Sequence, residues 1–137
     1  MWTIDDCFAL RLKKASEELM RYYTTAMEPC GITPVQYVML FRIRELNGAS
    51  MKEVAEALHI DKSTLARTIK PMMGKGLIAD EKAPHARRSN LVVTAEGEKV
   101  LEYGQTLWYK AQQSIADRLG PDGIRHYDEV LNALKGE

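Results

Sequence analysis

The chain has 137 residues, 45% of them hydrophobic and 28% charged, which is the length and composition of one folded domain and excludes a disordered or low-complexity polymer. No apolar run approaches the ~18 residues a membrane-spanning helix needs, and Met1 to Asp6 lack the basic-then-apolar layout of a secretory signal, so the expected compartment is the cytoplasm and the two cysteines are not expected to form a disulfide framework. The net charge is zero, yet residues 61 to 90 hold seven basic side chains against three acidic, a local +4 balanced by −4 elsewhere, and such a basic head on an acidic body suits local phosphate binding.

Residues 4 to 28 read as one long helix, with Ile4, Phe8, Leu12, Ala15, Leu19, Tyr22 or Tyr23, and Ala26 recurring at steps of three or four. Pro29-Cys30-Gly31 ends it. Thr33-Pro34-Val35-Gln36 is then a capping box with proline at the first helical position, and it opens a helix to about Leu46. That helix is apolar on nearly every side up to Arg42, which predicts a central, buried position before Asn47-Gly48 stops it.

Ser50 to Gly76 carries the densest signal. Ser50 with Glu53 three residues on is a second capping box, so a short helix starts at Met51 and turns Met51, Val54, Ala55 and Leu58 inward. The joint His59-Ile60-Asp61 follows, with His59 suited to a helix end and Asp61 a good N-cap for a second helix from Lys62. At 100° per residue, Ile69 and Met72 of that helix fall within about 40° of Leu65, while Ser63, Arg67 and Lys70 fall between about 140° and 200° away. The apolar side packs on the preceding helix, leaving Ser63, Arg67 and Lys70, with Thr64 and Lys62 near the N-terminus, facing out. Arginine forks onto guanine, hydroxyls bond bases or phosphates, and lysine neutralises phosphate. A solvated polar face is the plainer reading of any amphipathic helix, so the decision rests on what surrounds it.

Pro71 lacks the N–H for the Arg67 carbonyl and is expected to kink or finish the second helix. Leu77 to Ala83 and Leu91 to Thr94 read as two strands joined by a basic tip containing Arg87 and Arg88, a hairpin able to reach an adjacent minor groove. Thr94 caps a helix to about Leu119, nearly 40 Å at ~1.5 Å per residue and too long for a domain this small to cover. Gly120-Pro121 breaks it, and a last helix carries Ile124, Tyr127, Val130, Leu131 and Leu134. The predicted architecture is a single domain over residues 1–137, mainly α with one small β-hairpin wing and about six helices, with its head at about 33–94.

This order of elements resembles the MarR family of winged helix-turn-helix transcription regulators over essentially the whole chain. The segments DKSTLARTIKPMMGKGLI and RRSNLVVTAEGEKV resemble the family's recognition helix with its exit into the wing, and the second wing strand running into the long dimerisation helix. The resemblance implies a homodimer built from helices at about 4–28, 94–119 and 121–135, and a double-stranded DNA partner whose successive major grooves take the two recognition helices. The unpartnered apolar stripes of the terminal helices favour the same dimer, and two-fold symmetry sets half-sites one DNA turn apart. Carried over by position, Ser63, Thr64 and Arg67 match recognition-helix contacts and Arg87 or Arg88 the wing arginine, while Ser50 and Lys62 match backbone phosphate contacts. The family's wing commonly has an acidic residue just ahead of its arginines; here the run is Lys82-Ala83-Pro84-His85-Ala86, so the wing is either looser or held by Asp80.

The expected function is a DNA-binding transcription regulator, a repressor released by a small molecule or an oxidant. Some relatives sense organic hydroperoxides through a cysteine followed by phenylalanine near the start of the first helix, and Cys7-Phe8 occupies a similar place. Those relatives also use tyrosines to hold the thiolate, one of them at the position of Thr33 here; Tyr22 or Tyr23 suits the other. A small buried hydrophobe at a dimer interface is the competing account of Cys7. The resemblance places an apolar or phenolic effector pocket near Tyr22, Tyr23 and Tyr37. His59, His85 and His126 show no ligand spacing, and no nucleophile arrangement or phosphate-cradling glycine loop occurs, so neither metal, cofactor nor enzymatic activity is expected. A winged-helix module that binds protein is the rival, and it calls for an apolar or acidic face in place of Ser63, Arg67 and Lys70.

Overall fold

A computed structural model describes residues 1–136. Its helices are α1 (Phe8–Met27), α2 (Pro34–Leu46), α3 (Met51–Leu58), α4 (Lys62–Gly74) and α5 (Ala95–Leu134), with strands β1 (Ile78–Asp80) and β2 (Leu91–Val93) between α4 and α5. Gly120 lies at φ 68°, ψ 171°, inside α5, a left-handed excursion that glycine tolerates and that divides α5 into arms of residues 95–119 and 121–134. Six α-helical rods and one hairpin are thus present among the described residues, in keeping with the about six helices predicted.

The start of the chain departs from expectation. The first helix does not run from residue 4, because the Asp6 carboxylate accepts hydrogen bonds from the Thr3 N–H (2.8 Å) and the Thr3 hydroxyl (2.9 Å) and ties residues 4–6 into a separate 3-10 turn. Cys7 then leaves helical geometry at ψ 116°, and α1 begins at Phe8.

The caps of the head form as predicted. Thr33 Oγ1 accepts the Gln36 N–H at 3.2 Å and Gln36 Oε1 accepts the Thr33 N–H at 3.0 Å, which satisfies two donors that a helix start otherwise leaves open. Ser50 Oγ and Asp61 Oδ1 accept the Glu53 and Thr64 N–H groups, but the box expected at Ser50 closes on one side only, because the Glu53 carboxylate accepts the Ser50 hydroxyl and not its N–H. His59, at φ 55°, closes α3 and makes the sharp joint to α4. Pro71 neither ends nor interrupts α4, which continues to Gly74 with Pro71 on its exposed side.

The strands are three residues each, shorter than the expected Leu77 to Ala83 and Leu91 to Thr94, with Ile78 opposite Val93 and Asp80 opposite Leu91. β1 ends at Asp80, whose Oδ1 accepts the N–H groups of Lys82 (3.1 Å) and Asn90 (2.9 Å), and one further backbone bond, from the Glu81 N–H to the Asn90 carbonyl at 2.8 Å, leads into the wing. A bridge between Ala49 and Leu91 fastens the wing to the exit of α2.

The core lies inside the head. Met39, Leu40 and Ile43 of α2 meet Leu65 and Met72 of α4, Val54 of α3, Leu91 of β2, Leu101 of α5 and Met27 of α1, all essentially inaccessible. The two ends of the chain are the opposite case. Trp2, Ile4, Phe8, Leu10 and Leu12, and then Leu119, Ile124, Tyr127, Val130, Leu131 and Leu134, are all exposed, while Phe8, Leu12, Val130 and Leu134 share the walls of one shallow groove with Arg11. No helix of the described residues is long and apolar enough to cross a membrane.

Candidate nucleic-acid interface and its neighbouring clefts

α4 presents two faces. Leu65, Ile69 and Met72 are buried, and Ser63, Arg67 and Lys70 are exposed on the other side, with Lys62 exposed in the first turn. Thr64 separates from this group. It is half-buried and, with Thr68, turns to a cleft on the flank of α4, because it stands about 100° from Leu65 on the side away from Lys62. Ser50 differs as well: it is only 8% exposed, and its hydroxyl accepts the Glu53 N–H and donates to the Glu53 carboxylate, leaving little of it to meet a phosphate.

At the start of α4, Asp61 Oδ1 accepts the Ser63 hydroxyl (2.7 Å) and the Thr64 N–H (2.7 Å). These two bonds, the Ser63 hydroxyl foremost, hold the Asp61 carboxyl down to about 2. The carboxylate is therefore ionised at neutral pH.

The wing is held at two places. At its neck, the Asn90 N–H is the main cause that keeps the Asp80 carboxyl below its usual value of 3.8, burial opposing it and the Lys82 N–H assisting. Asp80 thus ties the two sides of the wing's neck together. At its tip, the Arg88 guanidinium forms an ion pair with the Glu53 carboxylate at the start of α3. Arg87 is exposed beside it and takes part in no ion pair among the described residues. The space between wing and helices is an open cleft bordered by Lys52, Glu53, Glu56, Lys62, Arg87 and Arg88, so the N-terminus of α4 and the wing tip flank one basic recess. Sequence patterning brings out the two arginines but not Glu53 as the partner of one of them, since that contact joins positions 35 residues apart that share no helix face.

On the other flank of α4 lies a cleft of about 500 Å³ where α1, α2, α4 and α5 converge, lined by Met20, Tyr23, Val35, Val38, Trp108 and Gln112 among others. Of the three tyrosines expected there, Tyr23 lines it, with its hydroxyl donating to Gln112 Oε1. Tyr22 instead donates to Ser114 Oγ at 2.8 Å and lies under the Arg118 guanidinium. Tyr37 is buried behind the cleft, stacked on Trp108 with ring centroids 6.4 Å apart. Trp108 and Gln112 are found only through the fold; their spacing of four residues on α5 marks a helix face but not what it meets.

Cys7 caps α1 and Cys30 follows its end; both are half-buried thiols, and Cys30 Sγ donates to the Met27 carbonyl at 3.0 Å. The 20 residues of α1 hold them about 30 Å apart, far beyond the ~7 Å Cα separation that a disulfide permits.

The sequence model of the MarR family matches residues 32–89, which span α2 to the wing tip. A Bacillus subtilis organic hydroperoxide resistance transcriptional regulator is 29% identical over 116 residues, covering 81% of this chain and 78% of the relative. Among solved structures, the transcriptional repressor CouR bound to p-coumaroyl-CoA superposes with a TM-score of 0.85 at 21% identity, over 97% of this chain and 94% of that one. The M. tuberculosis transcriptional regulator MosR in complex with DNA superposes with a TM-score of 0.76 at 26% identity, over 95% and 97%. The capped helix pair with its basic outward face and the short arginine-tipped wing anchored on the same head lie within the residues that match the MarR family, and the chain shares the winged helix-turn-helix fold of these transcriptional regulators.

Proposed function

We propose that the protein is a homodimeric repressor that reads a two-fold operator, with one α4 in each of two successive major grooves and the wings directed to the flanking minor grooves. The observation that carries this reading is the exposed row Ser63, Arg67 and Lys70, back to back with Leu65, Ile69 and Met72 and beside the recess bearing Arg87 and Arg88. Lys62 and Lys70 are assigned to phosphate and Arg67 to a base edge. The dimer is supported by the apolar side chains left exposed at both ends of the chain, which a second copy would cover. In a salt titration on a duplex selected for tight binding, log affinity should fall steeply with log salt, by roughly 0.9 per phosphate neutralised. A flat slope, with a dimer that does not retain DNA at low salt, would transfer the fold to the protein-binding reading.

The signal in this reading is a small molecule seated in the cleft beside Tyr23 and Trp108. Its walls suit an apolar or aromatic body, with the Tyr23 hydroxyl, Gln112, Thr64 and Thr68 as polar partners. Because Thr64 and Thr68 belong to α4, an occupant would press on the reading helix and alter the spacing of the two heads. A second reading has Cys7 as an organic hydroperoxide sensor, favoured by its place at the start of α1 and by the hydroperoxide-resistance regulator among its relatives. Within one chain Tyr22 and Tyr23 lie over 20 Å along α1 from Cys7, so for either of them to hold the thiol it has to come from the second copy. For the oxidant reading, cumene hydroperoxide should release wild-type protein from DNA and leave Cys7→Ser bound; equal release of both excludes Cys7.

A further inference from the structure

The first turn of α4 contains a hydroxyl whose hydrogen-bonding direction is already determined. Ser63 is exposed on the face proposed to read DNA, at the N-terminal end of the helix, where helix-turn-helix proteins contact base edges. A serine hydroxyl has one proton to donate and two lone pairs to accept with. Its partner here, Asp61 Oδ1 at 2.7 Å, belongs to a carboxylate that also accepts the Thr64 N–H, and an ionised carboxylate only accepts. The proton of Ser63 is therefore committed to Asp61, and what Ser63 presents outward is lone pairs alone.

That polarity sorts its partners. Phosphate oxygens are acceptors, so Ser63 cannot bond them without giving up Asp61, and the Asp61 charge beside it repels phosphate further. In the major groove, guanine N7 and O6, adenine N7 and thymine O4 are acceptors, which leaves the exocyclic amines, adenine N6 and cytosine N4, as the donors within the pattern of the bases. We propose that Ser63, oriented by Asp61, is an acceptor-only specificity residue that reads an exocyclic amine of adenine or cytosine in each half-site. The capping bond thereby does two things, starting α4 and fixing the sense in which its first outward side chain reads. The inference rests on the DNA-reading function proposed above and adds to it which atoms of the base are read.

The test uses the full-length protein and a duplex pool with a randomised core. Wild-type protein enriches a consensus, and Ser63→Ala relaxes one base pair per half-site of it. At that pair two synthetic substitutions are compared. One deletes the amine, 2′-deoxynebularine for adenine or the pyrimidin-2-one nucleoside for cytosine; the other replaces the purine by its 7-deaza form and deletes the N7 acceptor. The expected result is that amine deletion weakens wild-type binding about tenfold, one hydrogen bond's worth at 1.4 kcal/mol per tenfold, and leaves Ser63→Ala unchanged, whereas the 7-deaza base affects both proteins equally. Coupling of Ser63 to the 7-deaza substitution overturns the proposal, because Ser63 would then be donating. Uniform loss on all sequences, or no change on Ser63→Ala substitution, also overturns it. Failure of wild-type protein to enrich any sequence is a different outcome, which removes the DNA-reading function and the proposal with it.

Discussion

Substituting Gly97 by alanine is expected to lower the stability of the protein by about 3 kcal/mol, of order 10 °C in Tm. Gly97 lies in the first turn of α5, where its N–H donates to the capping Thr94 Oγ1 at 3.0 Å. A Cβ built there would stand 2.2 Å from the Leu77 carbonyl oxygen and 2.6 Å from Val93 Cγ1. The carbonyl cannot retreat, because it accepts the Thr94 N–H at 3.1 Å, and the Thr94 hydroxyl in turn donates to the Gly76 carbonyl at 2.6 Å. The start of α5 would have to lift from the base of the wing, breaking the cap and displacing both strands together. Gly74→Ala is the control, since nothing lies within 4 Å of a Cβ at that position and alanine favours the helix by up to about 1 kcal/mol. Thermal unfolding of the two variants beside wild type checks the pair. A Gly97→Ala protein as stable as wild type would show that the contact between α5 and the wing base is looser than these distances state.

Arg67→Ala is expected to have the largest effect on function with the least on folding. Arg67 is exposed at the middle of the outward face of α4, away from Leu65, Ile69 and Met72, so its removal leaves the core intact. A guanidinium forked onto guanine O6 and N7 discriminates by about 1–3 kcal/mol, and a two-fold dimer makes the contact twice. Affinity for the selected duplex should therefore fall by one to several orders of magnitude, while affinity for random DNA falls only by the loss of one positive charge per chain. Fluorescence anisotropy on both duplexes at one salt concentration measures the ratio. Equal losses on the two would reassign Arg67 to positioning the backbone, and the preferred sequence would then have to come from Ser63 and the wing.

The parts of the fold that were legible beforehand are those set by local chemistry. Thr33, Ser50, Asp61 and Thr94 each cap the helix that follows them, because a hydroxyl or carboxylate three residues ahead of an open N–H needs no tertiary contact to bond it. The break at Gly120 is local in the same way. The misplaced features are those in which a local rule met a second contact. Thr3 and Asp6 close their own turn and delay α1 to Phe8, Asp80 takes two amide protons where β1 ends, and α4 runs on past Pro71 to Gly74.

For the candidate interface the division is similar. A period of 3.6 residues is enough to place Ser63, Arg67 and Lys70 opposite the buried row and so to identify the reading face, and with the wing arginines to suggest nucleic acid. Periodicity gives the angle of a side chain about its own helix; it is silent on which other element stands in that direction. Hence the turn of Thr64 toward the cleft, the burial of Ser50, the pairing of Arg88 with Glu53 and the meeting of Tyr23 with Gln112 all depended on how α1, α3, the wing and α5 pack around α4. Contacts between residues far apart in the chain are decided by the joint burial of the whole core, and no stretch of sequence carries that information alone.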